Sequence, residues 1–408
     1  MEMTTHPDVR FLDRTTPPHI ITLILMAGLG ALSLNVFLPS LPGKTAYFQT
    51  DYGLMQLSVA LYLAMNAALQ LFIGPISDRY GRRPVLLWCC VLFVVASLGC
   101  IIAPTIEIFL AFRMAQAVIV SGLVLSRAVV RDMVPQDQAA SMIGYVTMGW
   151  AIVPMIGPAI GGVLDQAFGW QANFWLMAIL GGGLTWLIWR DLGETATNTG
   201  ASFAAQAAEY PELLTARRFW GYVLCAAFSS GCFFAYLGGA PFVGSEVCRL
   251  DPALVGLFFG APALGYLVGN GISGRYAARI GIYPMIMWGA CMSVLGMGLS
   301  LIAHYSGLKT PLSFFGFMVF VGLGNGLVLP SANAGLLSVR PKLAGAASGL
   351  GGAIMIGGGA ALSAVAGALL SPGSDAAPLI WIMFLSASAG VLAILYVIQR
   401  ERELGRGS

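Results

Sequence analysis

The residues best placed to do chemistry lie in the run Gly74-Pro75-Ile76-Ser77-Asp78-Arg79-Tyr80-Gly81-Arg82-Arg83-Pro84. One carboxylate beside three guanidinium groups can form ion pairs that make and break. Gly74 and Gly81 permit backbone angles closed to other residues, and Pro84 suits a first helical turn. The pattern therefore predicts a helix that ends, turns sharply and restarts. A second charge, Arg113 with Gln116 close behind it, falls inside an apolar run. There a charge costs at least about 2.5 kcal/mol. It must be paired, functional, or snorkelling to a surface, and Glu107, six residues earlier, is not on the same helix face.

None of the 18 acids falls in the middle of an apolar run. Asp51, Glu107 and Asp165 stand at the ends expected to face outward, and Asp78 and Asp132 at the ends expected to face inward. His6, His19 and His304 are peripheral. Polar residues do recur at helical spacing: Tyr62, Asn66 and Gln70, then Tyr266 and Asn270, then Asn325 and Asn333. Phe233, Phe234 and Tyr236 add aromatic surface. Such groups either line a cavity or bond one helix to another, and both readings stay open. A mostly apolar, aromatic cavity with few polar handles suits small amphipathic compounds. The seven cysteines form no CxxC pair and no cluster with histidine, so neither a disulfide framework nor a metal site is indicated. No Walker-type loop appears, which argues against direct ATP drive. No cofactor is implied, and hydrolytic chemistry lacks its clustered ligands at membrane depth, so an enzyme is not expected.

The elements that carry these residues are long and apolar. Of 408 residues, 58% are hydrophobic and 10% charged, against about 25% charged in soluble domains. Such a chain is a polytopic membrane protein. Apolar windows recur near 19–40, 53–75, 84–103, 108–128, 140–163, 171–189, 219–240, 253–274, 283–304, 311–334, 345–370 and 378–398, which predicts twelve membrane helices. No small-residue cleavage site follows the first window, so it reads as an uncleaved span. Basic residues concentrate on the cytoplasmic side of membrane proteins. With the N-terminus inside, seventeen lie in cytoplasmic segments and only Lys44, Arg249 and Lys309 on the other side, leaving Arg113 within the membrane. Both termini are therefore expected on the cytoplasmic side. The net charge of +3 suggests no nucleic-acid partner.

The long polar segment divides the spans evenly, giving a tail at 1–18, bundles at 19–190 and 219–398, a linker at 191–218 and a C-terminal tail at 399–408. Ile76 to Arg83 also lines up with Ile272 to Arg279 at a shift of 196, with five identities in eight. Gly122-Leu123-Val124-Leu125 recurs as Gly326-Leu327-Val328-Leu329, and Met155-Ile156-Gly157 as Met355-Ile356-Gly357. This predicts a parallel duplication of six-helix bundles with a cavity between the halves near the bilayer midplane. In that register the copy of the charged turn has Gly274 and Ala277 where the first has Asp78 and Gly81.

The stretch from Gly74 to Pro84 resembles the signature loop of the major facilitator superfamily, with Gly74, Asp78, Arg79, Gly81, Arg82 and Arg83 matching. The resemblance implies that Asp78 and Arg79 join a charge network that locks the outward-open state, with Arg131 and Asp132 as partners. The segment Gly149 to Gly162 resembles the family's antiporter motif through Pro154, Gly157, Pro158, Gly161 and Gly162, and favours export. Arg113 and Gln116 resemble an RxxxG-type motif, with Ala117 where Gly is usual.

The words at Asn35–Pro42, Arg127–Asp132 and Tyr236–Val243 resemble the bicyclomycin and chloramphenicol resistance (Bcr/CflA) exporters of the drug:proton antiporter group. The likeness runs from about Ile20 to Arg400. It implies a multidrug efflux transporter, expected as a monomer, that exchanges small molecules for protons across the lipid bilayer. One departure bears on coupling. Relatives of this branch commonly carry an aspartate where this chain has Asn35, and an asparagine cannot titrate. If protons couple, Asp51 and Glu107 are the first carriers to examine. Otherwise the chain is a uniporter or an anion-linked exporter, with Arg113 available to an anionic group.

Overall fold

The structure is a computed structural model that describes residues 9–133, 142, 146, 153, 156–196, 210–340, 343–371 and 373–403. Apolar runs flanked by turns become helices here, because a helix satisfies its own backbone polar groups where no water is available. Among the described residues, eleven helices are long and apolar enough to cross a membrane. They are α1 (Ile20–Tyr47), α2 (Tyr52–Tyr80), α3 (Arg82–Ile102), α4 (Ile106–Val130), α6 (Gln171–Asp191), α7 (Arg217–Val247), α8 (Pro252–Ala277), α9 (Ile282–Tyr305), α10 (Leu312–Val339), α11 (Ala347–Leu369) and α12 (Ala377–Arg400). The predicted span at 140–163 is represented by α5, helical over 156–168. Pro154 and the segment before it lie largely outside the described residues.

The duplication is visible in the helix ends, in a register that differs from the one read in the sequence. Gly81 joins α2 to α3 at φ 93°, and Gly281 joins α8 to α9 at φ 94°. This is backbone that a side chain disfavours. Asp51 caps α2 by accepting from the Leu54 amide at 2.8 Å, and Asp251 caps α8 by accepting from the Leu254 amide at the same distance. Both pairs stand 200 apart, as do Met155 and Met355, Arg79 and Arg279, and Pro84 and Pro284. The word at Ile272–Arg279 is thus one helical turn out of register. A slip of four residues keeps side chains on the same helix face, which is why the wrong alignment scores well. The counterpart of Gly81 is Gly281, not Ala277.

Among the described residues the halves touch along several helix pairs, including α2 with α11 and α5 with α8. α2 lies along α11, from Gly53 beside the Gly367 carbonyl to Gln70 beside Gly352. α5 meets α8, where any side chain at Gly162 would strike the Pro252 carbonyl and any at Gly256 the Pro158 carbonyl. On its other side α5 meets α1, since a side chain at Gly161 would overlap the Val36 carbonyl. The GPxxGG run is therefore the place where one helix touches both halves at backbone distance.

Candidate transport site and gate

At the Asp78 end the hub of the charge network is Arg82, where the sequence pointed to Arg79. Arg82 is buried and pairs with Asp78 one turn earlier. Its Nε donates to Asp132 Oδ2 at 3.1 Å, in the helical stretch that extends α4 to Met133, and its Nη1 donates to the Ser77 hydroxyl. Arg79 is exposed and lies over the Tyr80 ring at 5.5 Å. A side chain lies on the outside or inside of a helix according to its position in the turn, and three residues separate these two arginines. Arg83 donates from Nη2 to the Trp189 carbonyl at 3.1 Å. Arg131 belongs to the same helical stretch as Asp132, with its side chain outside the described set.

Glu194, just past α6, completes this network, and no motif in the sequence points to it. Its carboxylate accepts from the Arg82 amide at 2.8 Å and the Arg83 amide at 3.3 Å. An acid at the first turn of α3 satisfies amides with no helical partner and complements the helix dipole. A Cβ built on Gly81 would lie 2.5 Å from Glu194 Oε2. Asp191, fully buried at the end of α6, similarly accepts from the Leu12 amide at 2.7 Å, the His19 amide at 2.9 Å and the Thr22 hydroxyl at 2.6 Å. This ties the N-terminal segment to the bundle. In that segment the Thr15 hydroxyl and amide hold the exposed Asp13 carboxyl below its ordinary value.

Deeper in the first half, Arg113 is fully buried and does not snorkel. Its Nη1 donates to Gln116 Oε1 at 2.7 Å and to the Ser33 hydroxyl at 3.3 Å, and its Nη2 donates to the Ser33 carbonyl at 2.7 Å. The Phe37 and Tyr62 rings flank the guanidinium at 4.1 and 4.0 Å. A desolvated cation over an aromatic face gains about 2 kcal/mol, which offsets part of the burial cost. Gln116 donates onward to the Ser97 hydroxyl at 2.7 Å. No acid pairs with Arg113 among the described residues.

Lys44, assigned to an outer loop from the sequence, is also fully buried. The chain does not leave the helix at Pro42. It passes through a short 3-10 turn at Leu38–Ser40 and continues helical to Tyr47, which carries Lys44 back among the Phe37, Phe109 and Phe174 rings at 4.1, 5.7 and 5.3 Å. The proline pair that suggests a loop occupies early helical positions, where a missing amide costs nothing.

The other predicted residues do not converge on one pocket. Gln70 donates to Asn66 Oδ1 at 2.8 Å on the α2 face turned to α11, while Tyr62 one turn earlier faces Arg113. Tyr236 sits in an aromatic cluster of the second half with Phe233, Phe259, Phe314 and Phe315, and its hydroxyl donates to the Phe259 carbonyl at 3.3 Å. Asn270 donates to the Tyr266 carbonyl at 2.8 Å. The Tyr266 backbone lies against Gly322 and Gly326 of α10. Asn325 is buried with its side-chain oxygen unpartnered, whereas Asn333 is exposed. Asn35 donates to the Ala31 carbonyl at 2.7 Å and also leaves its oxygen unpartnered. Gly157 of α5 approaches its Cβ. The two first-choice proton carriers are poorly sited to shuttle protons. Asp51 is an exposed helix cap with a twin at Asp251, and Glu107 is exposed at the start of α4.

Two bundles of long apolar helices, meeting at α2–α11 and α5–α8 with an ion-paired turn at one end, define a multi-pass membrane protein of duplicated design. The chain belongs to the Major Facilitator Superfamily, whose model matches residues 23–364. It is 31% identical to the uncharacterized MFS-type transporter YdgK of Bacillus subtilis, over 93% of this chain and 94% of that one. It is 32% identical to the chloramphenicol resistance protein of Pseudomonas aeruginosa, over 78% and 76%. Against multidrug resistance protein D of Escherichia coli the identity is 27% over 85% and 88%. These relatives put the chain in the Bcr/CflA drug-efflux branch. Among solved structures, a bacterial homologue of the human lysosomal transporter Spinster superposes with a TM-score of 0.73 at 15% identity, covering 94% of this chain and 96% of that one. A D-xylose-proton symporter gives 0.72 at 17% identity, over 93% and 96%. The fold is shared at identities too low for shared substrates to be argued from it.

Proposed function

We propose that the protein is a secondary active exporter of small amphipathic compounds, driven by proton antiport and working by alternating access in a bacterial inner membrane. The carrying observation is the likeness to relatives named for chloramphenicol and multidrug resistance over more than three quarters of the chain. The geometry supports the cycle. At the Asp51 end the halves are joined by Tyr52 with Gly238, Gln56 with Ser363, and α5 with α8. At the Asp78 end the ion pairs among the described residues stay within a half: Arg82 with Asp78 and Asp132 in the first, Arg340 with Glu212 in the second. The ties across the Asp51 end support a state closed at that end. The basic residues at the Asp78 end support placing it in the cytoplasm.

The bundles at 19–190 and 219–398 then rock about the α2–α11 and α5–α8 interfaces, with the 191–218 linker leaving at Glu194 beside the gate. Tyr62, Asn66, Gln70, Tyr266, Asn270, Asn325 and the Phe233–Tyr236 aromatics are the side chains through which the halves would meet a substrate. A monomer suffices for this cycle. The second reading, uniport or anion-linked export, is favoured by Asn35 and by an Arg113 without an acid among the described residues. The test is a resistance screen of an efflux-deficient strain expressing the protein, against chloramphenicol and a panel of amphipathic drugs. Raised tolerance that disappears with the Asp78→Asn variant supports export. Unchanged tolerance across the panel at verified expression counts against it.

A further inference from the structure

Antiport needs a sheltered group that exists in two protonation states, and Asn35 on helix 1 cannot be one. Arg113 keeps its proton in any protein setting. Asp51 caps a helix, Glu107 is exposed, and Asp191 is fully engaged by three donors. Lys44 is left. Its ammonium has three N–H groups, yet Nζ has one acceptor, the Phe37 carbonyl at 3.3 Å. No carboxylate lies within 4.0 Å of it among the described residues. Arg113 lies 4.1 Å from the same Phe37 ring, so each cation feels the other across one aromatic. Asp165 on α5 and the Cys100 thiol on α3 are near enough to act electrostatically on Lys44.

We infer that Lys44, with Asp165 as its relay toward solvent, is the proton-binding site of this transporter. The inference rests on the antiport reading and supplies the carrier that reading lacks. The step balances simply: a proton from the Asp51-end solution passes by way of the Asp165 carboxylate to the Lys44 amine lone pair, and the ammonium releases it to water on the Asp78 side when that end is open.

The location gives the proton mechanical leverage. Ser40, which lies near Asp165, accepts on its hydroxyl from Asn173 Nδ2 at 2.9 Å. Asn173 donates as well to the Gly161 carbonyl at 3.2 Å. Gly161 seats α5 on Val36, and its neighbour Gly162 seats α5 on Pro252 of the second half. A charge appearing on Lys44 thus acts on Asp165, which rides on the helix that clasps the two halves.

The test places spin labels at the exposed Gln49 and Arg249 in the full chain, reconstituted in vesicles, and records their distance distribution from mildly acidic to mildly alkaline buffer. The native side chain at Lys44 should give two populations that exchange with pH. Lys44→Met and the conservative Lys44→Arg, which cannot release its proton, should each give a pH-independent distribution, and Asp165→Asn a displaced midpoint. A pH-independent native protein, or a Lys44→Arg variant that titrates as the native one does, would overturn the inference. Gradient-driven efflux, measured separately, distinguishes the two failures. Efflux that persists while the Lys44 variants titrate normally sinks only this site, and efflux that ignores the gradient sinks the antiport reading itself.

Discussion

The Tyr52 hydroxyl donates to the Gly238 carbonyl at 2.7 Å and so ties the first half of the chain to the second. Gln56, one turn further along α2, donates to the Ser363 hydroxyl at the same distance. Together they close the Asp51 end. A buried hydrogen bond of this kind contributes about 1 kcal/mol, roughly a fivefold change in a two-state population. Tyr52→Phe should therefore shift the Gln49–Arg249 distance distribution about fivefold toward the longer separation, with thermal stability little changed. A distribution identical to the native one would show that this bond does not help to hold the end closed.

Gly81 is fixed by two constraints at once. Its φ of 93° disfavours any side chain, and a Cβ there would meet the Glu194 carboxylate. Gly81→Ala should cost about 2 kcal/mol or more, lower the melting temperature and abolish transport. Glu194→Gln keeps an acceptor for the Arg82 amide and should cost less than about 1 kcal/mol. Equal effects from the two changes would contradict the cap. Thermal unfolding in detergent by tryptophan fluorescence measures both.

The contrast between Gly81 and Lys44 shows what the sequence carried and what it hid. Helix number and the sharp turn follow from apolar run length and from Gly and Pro placement, which are local properties. The repeat register slipped by one turn because helical patterning is nearly invariant to such a slip, and the helix ends at Asp51 and Asp251 and at Gly81 and Gly281 correct it. Arg82 displaced Arg79 as the hub because both fit the motif and the choice depends on which helix face is buried. Lys44 and Glu194 were invisible for a different reason. One is buried by a helix that continues past two prolines, and the other acts on amides brought to it by tertiary packing.

Arg113 uses its planar fork to hold Gln116 and Ser33 at once. Lysine keeps the charge but not the fork. Arg113→Lys should insert normally and lose transport tenfold or more, equivalent to about 1.4 kcal/mol. Native transport by this variant would show that any cation suffices there. Rates in vesicles at matched protein density decide it.

The orientation is open to direct labelling in a cysteine-free background. Lys309→Cys, on the exposed α9–α10 connection, should react with an impermeant maleimide added to intact cells, and Thr195→Cys, beside the gate, only after permeabilisation. The reverse pattern would invert the proposed topology and with it the direction of transport.

The most direct measurement of the central claim is efflux from proteoliposomes under an imposed pH gradient at clamped voltage, with radiolabelled chloramphenicol as probe and a resistance-screen hit as a second probe. Proton antiport predicts that the probe moves against its own gradient when protons are offered from the opposite side, and that reversing the pH gradient reverses the flux. Fluxes that follow only the probe's own gradient, whatever the pH difference, would contradict proton-driven export.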